Sequence, residues 1–87
     1  MQTAGGLYYT DSKGKNDRIP IVLIHGIGGS HHVWPAAMRK ADDRRVIAVD
    51  LPGHGRSEGT ASRTVRQYSN EMDNFLRETG IFQVILV

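Results

Sequence analysis

The sequence predicts an α/β protein, a mostly parallel sheet with helices on both faces. Three apolar runs carry this prediction, at 20–25, 45–50 and 81–87. Between them lie two stretches in which apolar residues recur at helical spacing. Near-continuous apolar strands are the mark of a sheet covered on both sides, and strand–helix alternation implies crossover connections.

At the N-terminus, Leu7-Tyr8-Tyr9-Thr10 has strand propensity and a polar turn region follows at 11–17. Together they suggest a strand or hairpin arm leading into the first buried strand. That strand, Ile21-Val22-Leu23-Ile24, follows Pro20 and runs into His25-Gly26-Ile27-Gly28-Gly29-Ser30. Such a glycine loop between a strand and a helix lets the backbone turn sharply and present N–H groups where negative charge is favoured. Val33, Trp34, Ala37, Met38 and Ala41 are spaced for a helix, with Pro35 in its first turn, so the regular helix is expected from Trp34 to Ala41.

The second strand, 45–50, ends on Asp50, and Pro and Gly residues exclude regular structure over 51–59. Val65, Tyr68, Met72, Phe75 and Leu76 mark the core face of a helix over 64–79. Thr64 with Gln67 forms a capping box, and Gly80 is the C-terminal stop. The third strand ends the sequence at Val87. The strand at 20–25 is expected between the other two, so that strand order reverses there. Its carboxyl end then faces the crevice where open α/β sheets bind ligands.

Composition excludes several classes. The 87 residues suffice for one small domain, with 39% hydrophobic and 23% charged content, which is ordinary for a soluble chain. A net charge of +2, with scattered basic residues, gives no argument for nucleic acid or an anionic membrane. No apolar run approaches the roughly 18–20 residues of a membrane span, and the N-terminus lacks the apolar core of a signal peptide. The default location is cytoplasmic. With no cysteine there is no disulfide framework or thiolate nucleophile. Four histidines invite a metal site, but His31 and His32 are adjacent and their side chains are expected to diverge. No metal is expected.

Gly26-Ile27-Gly28-Gly29-Ser30-His31 begins like a dinucleotide-binding G-x-G-x-x-G, with Asp50 placed as a ribose-binding acid. His31 stands where the third glycine would permit close helix–strand packing, which argues against that reading. The combination of His25-Gly26-Ile27-Gly28-Gly29 with Asp50-Leu51-Pro52-Gly53-His54-Gly55-Arg56-Ser57 instead resembles the α/β-hydrolase superfamily. Both blocks stand in the family's order and spacing, and the resemblance covers nearly the whole chain.

The resemblance implies a serine hydrolase, most simply a carboxylesterase acting on a small-molecule ester, with no metal or organic cofactor. It implies that the backbone N–H of Ile27, with that of Gly28, contributes to an oxyanion hole. His25, Gly26, His31 and Trp34 become candidates for the substrate pocket. For His25 and Asp50 the residues themselves suggest another role, His25 packing at the strand end and Asp50 holding the loop after it. The family's Gly-x-Ser-x-Gly elbow follows the strand resembled by 82–87, so no Ser, Asp or His here is cast as a triad member. Residues 1–87 are thus expected to be the N-terminal portion of one hydrolase domain, with the remaining polypeptide packed on 82–87. A non-catalytic receptor on the same scaffold is the alternative. The sequence does not separate esterase from lactonase, lipase, C–C hydrolase, epoxide hydrolase, dehalogenase or haloperoxidase.

Overall fold

A computed structural model describes residues 2–15, 18–26, 28–57, 64–81 and 83–87. Strands β1 (Gln2–Ala4) and β2 (Leu7–Asp11) form an antiparallel hairpin. Its two-residue turn is Gly5-Gly6, with φ of 57° and 81°, a left-handed pair suited to the twist of a hairpin. The polar region after Asp11 is therefore not the hairpin turn; it carries the chain from β2 towards β3 (Ile21–Ile24).

The five strands, with β4 (Val46–Val49) and β5 (Ile85–Leu86), form one sheet in the order β1-β2-β4-β3-β5. β3 lies parallel to both β4 and β5, while β2 meets β4 antiparallel. The strand order expected around β3 is therefore the one observed. β5 is shorter than the predicted 81–87, although Val87 extends the pairing by donating to the Val22 carbonyl at 3.0 Å.

Side-chain alternation divides the core between the two faces. Val22, Ile47 and Val49 point to one face, where Leu7, Tyr68, Met72 and Phe75 cover them. Leu23, Val46 and Ala48 point to the other, where Ile21, Trp34 and Ala41 pack. All four residues of β4 are buried, as a strand sandwiched between two layers requires.

The helix α2 (Val65–Thr79) supplies Tyr68, Met72 and Phe75 to the first face. Thr64 and Gln67 form the reciprocal capping box, and Gly80 closes the helix at φ 74°. Val65 is a correction: it is 77% exposed. Helical side chains tilt towards the N-terminus, so a first-turn residue points off the end of the helix and not down onto the sheet.

The first helix is also shorter than expected. A 3-10 turn at His31–Val33 is followed by α1 (Ala36–Arg39), with Pro35 as its N-cap. Trp34 has ψ 135°, because the Pro35 ring disfavours helical backbone in the residue before it. The apolar spacing from Val33 to Ala41 thus spans two short pieces.

Asp11 and Arg45 tie β2 to the start of β4, with Arg45 Nη2 donating to Asp11 Oδ2 at 2.8 Å. Burial pushes the Asp11 carboxyl up, but its hydrogen bonds to Arg45 and to the Lys13 N–H outweigh this and hold it below the ordinary value.

Candidate active site

The carboxyl ends of β3 and β4 carry the two glycine-containing loops, and hydrogen bonds tie these to one another. Asp50 follows β4 directly and is fully buried. Its carboxylate accepts the His31 backbone N–H at 2.6 Å, His31 Nδ1–H at 2.9 Å and the Arg56 N–H at 2.9 Å. Burial alone pushes the Asp50 carboxyl up, but the Arg56 and His31 N–H groups and the His31 ring together outweigh it. Its pKa is held below the ordinary carboxylate value.

Asp50 thus holds the loop that follows it, as the sequence suggested. The same turn is braced at Ser57, whose hydroxyl donates to the Asp50 carbonyl and accepts the Tyr8 N–H at 2.8 Å. Gly55 has φ 51°, and a Cβ there would run into the Asp50 carboxylate. Only glycine lets the loop close over this buried charge.

His25 is 3% exposed, with Nδ1 donating to the Gly26 carbonyl at 2.6 Å and Nε2 accepting the Leu51 N–H at 3.0 Å. His31 is 4% exposed beneath the loop, against Asp50. His25, with both ring nitrogens engaged, and His31, with its Nδ1 on Asp50, act as braces for the loops. The expected divergence of His31 and His32 is overturned: their ring centroids lie 4.0 Å apart. In the tight turn at 31–33 the His31 ring is drawn in to Asp50, and the His32 ring lies over it. Trp34 packs on the Leu23, Val46 and Ala48 face, and its Nε1 has no hydrogen-bond partner among the described residues.

Of the two amides expected at an oxyanion, that of Ile27 lies outside the described residues. The Gly28 amide is already engaged, donating to His54 Nε2 at 2.9 Å. Gly26 is exposed at the loop surface. His54 carried no assigned role in the sequence reading. Its partner lies 26 positions away, and nothing local to either residue signals the pairing.

A dinucleotide does not fit these residues. Asp50 would have to receive a ribose, yet it has no exposure and is bonded to His31 and Arg56. Among the described residues no group of three or more His, Cys, Asp or Glu side chains could hold a metal ion, and no helix is long and apolar enough to cross a membrane. A cavity of about 240 Å³ lined by Ile21, Leu23, Met38 and Val46 opens at the amino ends of β3 and β4, away from these loops.

A mostly parallel sheet whose strand order reverses at β3, with two loops tied together at the carboxyl ends of β3 and β4, defines an open α/β fold. The sequence profile of the alpha/beta hydrolase fold matches residues 19–87, and the chain belongs to that family. The pimeloyl-[acyl-carrier protein] methyl ester esterase of Pectobacterium carotovorum is 38% identical over 66 residues, covering 74% of this chain and 25% of that protein. The dihydrolipoyllysine-residue acetyltransferase component of the acetoin cleaving system of Pseudomonas putida is 50% identical over 48 residues, 51% of this chain and 12% of that protein. A solved N-acyl homoserine lactonase superposes with a TM-score of 0.79 at 26% identity, over 92% of this chain and 31% of the lactonase. The chain thus spans about a quarter of the esterase and less than a third of the lactonase.

Proposed function

We propose that this chain forms the oxyanion-hole segment of a serine hydrolase that cleaves an ester-type acyl bond, most simply a carboxylesterase acting on a small-molecule ester. One observation carries the reading. In a chain of the α/β-hydrolase family, the glycine loop after β3 stands at the carboxyl end of the strand where strand order reverses. Similarity to a methyl ester esterase supports the ester class.

In this reading a serine supplied by polypeptide beyond Val87 attacks the acyl carbon, and negative charge builds on the carbonyl oxygen. A fixed backbone donor stabilises that charge without reorganising, and loss of one donor typically costs about 3 kcal/mol of barrier. The Ile27 N–H is the proposed donor. The Gly28 N–H, held by His54, keeps the loop in place. Gly26 lies along the substrate's approach, with His25 and His31 bracing the loops below. The chemistry needs no metal or organic cofactor. The remainder of the domain is proposed to cover the edge at β5, where Ile85, Leu86 and Val87 are 41%, 57% and 53% exposed.

Purified protein carrying this segment and the residues after Val87 should hydrolyse an aryl acetate and be labelled by a fluorophosphonate on one serine. Folded protein that shows neither would instead be the non-catalytic receptor.

A further inference from the structure

Two histidines cross between the loops in opposite directions. His25, after β3, reaches the Leu51 amide beyond β4; His54, beyond β4, reaches back to the Gly28 amide after β3. In each ring Nδ1 faces a carbonyl, that of Gly26 at 2.6 Å and that of Pro52 at 3.0 Å. A carbonyl only accepts and an amide N–H only donates. Both rings therefore carry their proton on Nδ1 and offer a bare Nε2. Their centroids are 5.1 Å apart, and the His54 ring also meets Tyr68 of α2 edge-on at 6.2 Å.

This clasp brackets the proposed oxyanion donor. On one side, the Gly26 carbonyl is held by His25 Nδ1–H and by the Gly29 N–H at 3.0 Å. On the other, the Gly28 N–H is held by His54. Gly28 has φ 88°, and a Cβ there would meet nothing within 4 Å. Among the described residues, the hydrogen bond to His54 ties Gly28 to the loop after β4, in addition to the Gly29–Gly26 bond that closes its own turn.

We infer that His54 is a positioning residue for the oxyanion hole, fixing the loop one residue past the donor by accepting the Gly28 N–H. The inference rests on the hydrolase reading above. It assigns catalytic consequence to a side chain acting through the Gly28 amide, and it ties the loop after β3 to the loop after β4 as one unit.

The test uses the enzyme carrying this segment together with its nucleophile, with two variants. His54→Leu removes the acceptor; His54→Gln returns an amide oxygen near the position of Nε2. Amide exchange at Gly28 by NMR reads the clasp, and exchange at Ile47 and Phe75 reports the core. In His54→Leu, Gly28 exchange should accelerate about tenfold, the scale of one hydrogen bond, with the core still protected. kcat for an aryl acetate should fall about tenfold with KM within about twofold, and His54→Gln should recover most of both losses. Unchanged Gly28 exchange in His54→Leu overturns the inference, as does accelerated exchange with an unchanged kcat. If His54→Leu loses core protection, His54→Gln decides: retained kcat with retained Gly28 protection supports the inference, and lost kcat with both protections intact overturns it. A wild-type enzyme without ester turnover refutes the hydrolase reading and the catalytic half of the inference, while the exchange comparison still decides whether His54 holds Gly28.

Discussion

The carboxylate of Asp50 accepts both the backbone N–H and the ring Nδ1–H of His31, at 2.6 and 2.9 Å. A buried charge is tolerable when hydrogen bonds replace its hydration. Here the replacement comes from the loop after β3 and from Arg56 in the loop after β4. The acid at the end of β4 thereby fastens the candidate active site to the sheet.

Asp50→Asn should therefore destabilise the fold. The amide group turns one acceptor into a donor facing the Arg56 or His31 N–H, and an unsatisfied buried polar group costs about 1–3 kcal/mol. Urea midpoints for the wild type and the variant measure the difference; equal midpoints would remove Asp50 from the account of loop stability.

Acid should erase that difference. The folded-state pKa of Asp50 lies below its unfolded value, which is about 3.9. Its stabilising contribution is then complete above the unfolded value and is lost as pH falls through the folded one. The gap between wild type and Asp50→Asn should persist at pH 5 and above and narrow from about pH 4 downwards. Asp11, also held low, loses its contribution in acid with the same sign in both proteins and so cancels from the gap. Denaturation midpoints between pH 7 and pH 2 follow the trend, and a gap that widens in acid would contradict it.

Gly55→Ala and Gly28→Val should separate stability from turnover. A Cβ on Gly55 meets the Asp50 carboxylate, and left-handed backbone costs a non-glycine residue about 1–2 kcal/mol. Gly55→Ala should thus lower the thermal midpoint clearly. Gly28, at φ 88°, has open space around its missing Cβ, so Gly28→Val strains only the loop. It should reduce aryl ester turnover strongly while shifting the midpoint less than Gly55→Ala does. The reverse ranking in calorimetry and kinetics would show that Gly28 serves the fold more than the site.

On α2, Phe75→Ala should cost about 3–5 kcal/mol, since a fully buried ring leaves a cavity between helix and sheet. Val65→Ala, at a residue 77% exposed, should stay within about 0.5 kcal/mol. Chemical denaturation of both variants tests the inward face assigned to the helix.

The sequence by itself determined what depends on near neighbours or on periodicity. The apolar runs fixed the three parallel strands, and alternation along Val46–Val49 buried both faces of β4. Thr64, Gln67 and Gly80 set the ends of α2 within one turn of the residues that cap it. Two linked motifs disclosed the family. Tertiary structure decided the rest, because the deciding contacts join residues far apart in the chain. His54 meets Gly28 across 26 positions, and His31 meets Asp50 across 19. Those distances close only once β3 and β4 pair in parallel and set their two loops side by side. No propensity or spacing encodes which ring nitrogen then faces which amide.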